Sequence, residues 1–135
     1  MNKNRVNRWV VLAAEALEVA GIAVNGKVDP GFRGQIATFG AAVTMGSLKA
    51  AAAFFAKQGG AAVPRENLLC AMYYIVQEGK DKAAKAEHVF KYICANDNAQ
   101  TREKFLDAAI ALKLAMNLYD LSGEEAKHEK SESAV

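Results

Sequence analysis

Residues 29–57 read DPGFRGQIATFGAAVTMGSLKAAAAFFAK, and this stretch decides the fold. Asp29 is suited to cap a helix. Pro30 is suited to its first position, where a missing N–H forfeits no intrahelical bond. The run beyond is alanine-rich and free of further proline, but Gly40 and Gly46 interrupt it. Each glycine costs a helix interior about 1 kcal/mol relative to alanine. Two so close together predict either a break near Met45–Ser47 or the close approach of another helix. We read two helices, roughly 30–44 and 46–58, ended by Gly59-Gly60.

Working outward, the chain repeats this composition. Alanine fills 27 of 135 positions and proline only 2. Alanine is the best helix former and a poor strand former, so the expectation is an all-α protein. A hydrophobic fraction of 52%, a charged fraction of 24% and a mean hydropathy of −0.03 describe a globular mix with room for one core. Two cysteines cannot build a disulfide scaffold, and two histidines leave little for a zinc site. Cys70 and Cys94 read as core residues.

N-terminal to the deciding stretch, Val6, Trp9, Val10, Ala13, Leu17 and Ala20 recur at helical spacing over about 5–20, with Arg8, Glu15 and Glu18 opposite and Gly21 as the stop. Asn25-Gly26 suits a type I′ turn, yet two three-residue strands without a sheet are marginal, so 22–28 reads as a loop with at most a small excursion. C-terminal to it, Pro64 opens a fourth helix carrying Leu68, Leu69, Met72, Tyr73 and Val76 and stopped by Gly79. Asp81 caps a fifth, with Val89, Phe90 and Ile93 inward and Lys82, Lys85 and Lys91 outward. Asn96-Asp97-Asn98 caps a sixth over about 99–121. That last helix shows two apolar stripes. One is Phe105, Ala109, Leu112, Met116 and Tyr119. The other is Ile110, Leu114, Leu118 and Leu121, which marks either a central helix or a candidate subunit interface. The expected architecture is a single compact bundle of about six helices over 1–122, followed by a disordered acidic tail over 123–135.

Charge is unevenly spread. Residues 1–65 carry eight Lys/Arg against three acids, and 123–135 carry four acids against two lysines, so the net +2 leaves +4 on the body. A mild basic excess favours a polyanion where it clusters. Lys82 and Lys85, one helical turn apart, with Lys80 before them, form one candidate phosphate-contacting set. Arg33, Lys49 and Lys57 form another if folding aligns them. Neither interleaves arginine with aromatics as base stacking requires, so the contact expected is with RNA backbone and indifferent to sequence. Gly31-Phe32-Arg33-Gly34 matches the G-x-x-G loop of KH domains, but that fold needs a sheet, and chance is the better explanation. No catalytic constellation, metal site or cofactor motif is read: His88 lies on a polar helix edge beside Glu87, and His128 lies in the tail. Lys3, Arg5 and Arg8 precede an apolar run that Glu15 and Glu18 break too early for a signal peptide, and uncharged Gly34–Leu48 is too short to span a bilayer. The cytoplasm is the expected compartment.

The segment Phe32–Lys57, FRGQIATFGAAVTMGSLKAAAAFFAK, resembles the small α-helical subunit of the Cmr complex, the type III-B CRISPR effector that silences RNA. Phe32 takes the family's aromatic position, Ile36 and Phe39 its apolar positions and Gly46 its pivotal glycine. Phe54-Phe55-Ala56-Lys57 takes the helix end. Gly40 stands where proline is usual, Ser47 where leucine is, and Lys49 where glutamine is common. The resemblance implies a non-catalytic structural subunit without cofactors. Its implied partners are the other Cmr subunits, including the crRNA-bound backbone subunits, further copies of itself in head-to-tail stacking, and target RNA or crRNA through the complex. It implies no membrane partner. The equivalent type III-A small subunit stays open, as does a helical protein–protein adaptor or homo-oligomerisation module with no nucleic-acid role.

Overall fold

Asn2 accepts a hydrogen bond from the Arg5 N–H and so starts α1 (Lys3–Val19) in the computed structural model, which describes residues 1–57, 63–83 and 85–121. Val6, Trp9, Ala13, Ala16 and Leu17 form its buried stripe. The helix closes as a Schellman motif: Gly21 takes φ +73°, and the Ile22 N–H returns 2.9 Å to the Leu17 carbonyl.

The next segment corrects the loop expectation. Asn25 (φ +54°) and Gly26 (φ +74°) form the turn between β1 (Ala23–Val24) and antiparallel β2 (Lys27–Val28). The hairpin has a sheet to join after all. β3 (Asp120–Leu121) pairs in parallel with β2, and Ile22 and Val28 are buried in the core.

Asp29 accepts from the Gly31 N–H at 2.8 Å and starts α2 (Gly31–Met45). The break falls at Gly46-Ser47, and the Ser47 hydroxyl caps α3 (Leu48–Ala56) by accepting from Ala50. The two glycines differ in kind. A Cβ on Gly46 would stand 3.0 Å from the Ala42 carbonyl oxygen, whereas one on Gly40 would meet nothing within 4 Å. Gly40 therefore brings no helix close, and Ala41, Ala50 and Ala53 are exposed. Only Ala51 and Ala52 of the nearby alanines are fully buried. The expected stop at Gly59-Gly60 lies outside the described residues.

At the centre lies α4 (Arg65–Val76), against which α1, α2, α3, α5 and α6 all pack. Leu68, Leu69 and every residue from Ala71 to Val76 are buried, so this helix, not the sixth, is the apolar-all-round one. It ends with Glu78 (φ +54°) in the left-handed position, one residue before the expected stop at Gly79. The fifth helix starts later than Asp81 implies: α5 is Ala86–Ala95, and Lys85 precedes it without a side-chain cap. Lys80, Lys82 and Lys85 therefore lie on a connecting loop and not on a helix face. Val89 and Ile93 are buried, Phe90 only half so. Asn98 caps α6 (Ala99–Ala115) by accepting from the Thr101 N–H.

The sixth helix ends at Ala115, short of the expected 121. A 3₁₀ turn, Met116–Leu118, then redirects the chain into β3. Phe105, Ala109, Leu112 and Met116 are buried as the first stripe requires. On the same helix Asp107 is fully buried. Its Oδ2 accepts from Arg5 Nε (2.9 Å) and Nη2 (2.7 Å), which ties the start of α1 to α6. The architecture is all-α, with six α-helices and a small three-stranded sheet among the described residues, and the acidic tail lies outside them. Among the described residues no helix is long and apolar enough to cross a membrane.

The glycine contrast is testable. Gly40→Ala is expected to stabilise by about 1 kcal/mol, and Gly46→Ala to destabilise by about 1–2 kcal/mol, in urea unfolding. Equal effects at both positions would contradict the different surroundings described.

Candidate functional site

The functional surface starts from a packing problem. α4 is buried all round but carries two tyrosines, and a buried phenol needs a partner for its hydroxyl. Tyr74 finds Glu15 of α1 at 2.6 Å. Tyr73 reaches the opposite way: its hydroxyl donates to the Asp81 carboxylate and lies 3.2 Å from His88 Nε2. His88 Nε2 is 3.9 Å from the same Asp81 oxygen. The Tyr73 ring meets His88 and Tyr92 edge-on, at centroid distances of 5.4 and 5.3 Å. The positive-φ pair Glu78-Gly79 makes this possible by turning the chain so that Asp81 returns beside α4.

Beside this trio opens a cleft of about 370 Å³ lined by Asp81, Lys82, Ala83, Lys85, Glu87, His88 and Lys91. Lys91 pairs with Glu87 at 3.4 Å, one turn apart on α5. Lys82 and Lys85 are exposed and make no ion pair among the described residues, and Lys80 is exposed just before them. Chemically the cleft offers the ammonium groups of Lys82 and Lys85 and an imidazole, a set suited to an anionic oxygen, with Asp81 engaged by Tyr73 and Glu87 by Lys91. Burial, then the hydrogen bond to Asp81, push the Tyr73 hydroxyl up to about 12, so it stays a donor at neutral pH.

The second candidate set is not brought together. Arg33 stands on the first turn of α2, where its Nη2 donates to Asn117 Oδ1 at 3.0 Å. Lys49 lies beyond the far end of α2, with roughly 18 Å of helix axis between Arg33 and Met45 at 1.5 Å per residue. It pairs with Asp97 at 3.5 Å. Lys57 is exposed at the end of α3. Folding does supply one arginine–aromatic stack that the local sequence hides: the Arg65 guanidinium lies 4.2 Å over the half-exposed Phe54 ring.

The second apolar stripe survives in shortened form. Ile110 is half-buried on α6, Leu114 is 45% exposed and Leu118, in the 3₁₀ turn, 69% exposed. Leu121 belongs to β3 and so does not continue a helical face. The cysteines also depart from expectation. Cys94 is exposed, and Cys70 is half-buried with its thiol pushed up to about 11 by burial and then by Glu66.

The trio Tyr73, Asp81 and His88 has no motif spacing, and the sequence reading missed it. The usable signal was a tyrosine in an otherwise apolar helix, which has to find a polar partner somewhere. No family model, curated protein or solved structure matches this chain.

Tyr73, Tyr74 and Tyr119 all have hydroxyls held above the usual phenol range, by burial or by donation to Asp81, Glu15 and Glu18. The folded protein therefore keeps protons that the unfolded chain releases above pH 10. Stability present below that pH is expected to fall as pH rises towards 12. Urea midpoints measured from pH 9 to 11.5 should decline, and less steeply in Tyr73→Phe.

Proposed function

We propose that this chain is a non-catalytic structural subunit of an RNA-containing assembly in the cytoplasm. In the finer reading it is the small α-helical subunit of a type III-B CRISPR effector, stacked beside the crRNA-bound backbone and helping to line the target-RNA groove in antiviral defence. The observation that carries the proposal is the disposition of the resembling segment. Phe32–Lys57 is one helix–corner–helix unit: Phe32, Ile36, Phe39 and Phe55 are buried, Gly46 sits at the corner, and Lys49 and Lys57 stay exposed. The lysine-lined cleft formed by α5 and the loop before it supplies a surface for phosphate, and Lys82 and Lys85 are the residues assigned to backbone contact. Lys80 flanks them.

Reconstitution with type III-B backbone subunits and guide RNA is expected to incorporate the chain, read by native mass spectrometry. Binding to single-stranded RNA is expected to be weak, indifferent to sequence and salt-dependent, with a slope of about −0.7 per phosphate contacted. Lys82→Glu with Lys85→Glu should weaken it more than the same reversal at Lys127 and Lys130. Failure to incorporate, or binding flat across salt, would overturn the proposal.

A second reading, a helical adaptor or homo-oligomer without a nucleic-acid role, is favoured by the exposed Leu114 and Leu118 beside Ile110. It predicts a stable oligomer in light scattering that Leu114→Glu converts to a folded monomer. A wild-type monomer at high concentration would remove it.

A further inference from the structure

The cleft formed by α5 and the loop before it contains one group that the lysines do not account for. His88 sits on the outward side of α5, yet its Nε2 is fixed at 3.2 Å from the Tyr73 hydroxyl and 3.9 Å from Asp81 Oδ2, and it lines the same cleft as Lys82 and Lys85. A surface histidine held from one side by a buried phenol and a carboxylate is placed, not free to swing. We infer that His88 is a proton-gated phosphate contact: protonated, it adds a third cation to Lys82 and Lys85 and strengthens the hold of this face on RNA backbone.

The chemistry runs in one direction. Tyr73 donates its proton to Asp81, so the phenolic oxygen has lone pairs turned to His88, which approaches by Nε2. Neutral imidazole satisfies this contact by donating from Nε2, and the opposite ring nitrogen then carries no proton and repels an anionic oxygen. Protonation turns that nitrogen into a second donor and adds one positive charge at the rim. Asp81, already engaged by Tyr73, lies close enough to stabilise the imidazolium. Tyr73 stays protonated throughout, because burial and its bond to Asp81 hold it up to about 12. The remaining charges around His88 are Lys82 and Lys85 from the loop and Glu87 and Lys91 from α5, the last two paired with each other. From α4 Tyr73 reaches it, while Glu66 and Cys70 line a neighbouring cleft with Lys85 and Glu87. On α3, which also packs on α5, Lys49 is turned to Asp97. Histidine is the side-chain type whose charge change ordinarily falls between pH 5 and 8.

This inference rests on the RNA-backbone reading of the cleft, and the experiment separates the two. The probe is a single-stranded uridine homopolymer, which does not itself titrate between pH 5.5 and 8, with binding followed by fluorescence anisotropy at low salt. Wild-type protein should bind about fivefold tighter at pH 5.5 than at pH 8, the gain from one added charge near a phosphate in water. His88→Gln should bind as wild type does at pH 8 and lose the pH dependence, while His128→Gln should keep it. Tyr73→Phe should weaken the dependence without abolishing binding, and far-ultraviolet circular dichroism checks that each variant is folded. Undiminished pH dependence in His88→Gln would overturn the inference and leave the RNA reading intact. No binding at any pH, in wild type as in variants, would overturn the RNA reading itself.

Discussion

The constraint on which the rest of this molecule depends is the burial of α4 on all its faces. A twelve-residue helix that every other helix touches must carry apolar side chains in every direction, and Leu68, Leu69 and Ala71–Val76 do so. Each large side chain taken out of water there contributes about 1.5–3 kcal/mol, so the helix acts as the common surface on which α1, α2, α3, α5 and α6 converge. Its two tyrosines are what connect this core to the exterior. Their rings belong to the packing, and their hydroxyls must leave it. One exit, through Glu15, ties α4 to α1. The other, through Asp81 and His88, organises the cleft. The candidate site is thus a consequence of how the core satisfies its polar atoms.

A second constraint acts at the start of α1. Asp107 is a carboxylate with no access to solvent, and such a group is tolerated only when an opposite charge and hydrogen bonds compensate it. Arg5 supplies two bonds to one oxygen and the Asn2 N–H a third at 3.3 Å. The start of α1 is thereby fixed against α6, and Trp9, one turn on, lies under the same guanidinium at 5.4 Å. With α1 held at both ends, by Arg5 at its start and by the sheet-capped Gly21 turn at its finish, the long α1–α6 contact is set in register. That register places Tyr119 where its hydroxyl donates to the Ala14 carbonyl at 3.1 Å.

The basic side chains of the two candidate sets divide by what surrounds them. Arg33 and Lys49 are each engaged by a partner, Asn117 and Asp97, at different parts of the bundle. Lys82 and Lys85 make no ion pair among the described residues, and they share a rim with an oriented imidazole. Lys82 and Lys85 thus share the rim that the proposed RNA reading uses, whereas Arg33 and Lys49 are engaged at separate places in the bundle.

The sequence by itself determined the helical class, the helix starts at Asn98 and Asp29, the break near Met45–Ser47 and the apolar stripe of α1, because caps, glycines and periodicity are local properties of the chain. It grouped the candidate lysines 80, 82 and 85 but put Lys82 and Lys85 on a helix. Asp81 looked like a local cap, whereas its strongest bond is to Tyr73, on a different element. Only the tertiary structure decided which helix is central, that the 23–28 hairpin forms, and that the sixth helix gives way at Ala115 to a strand pairing with that hairpin. It alone joined Arg5 to Asp107, Arg65 to Phe54, and Tyr73 to Asp81 and His88. Each of these rests on contacts between residues on different elements, where the burial of one group creates the need that another group, unrelated in spacing, satisfies.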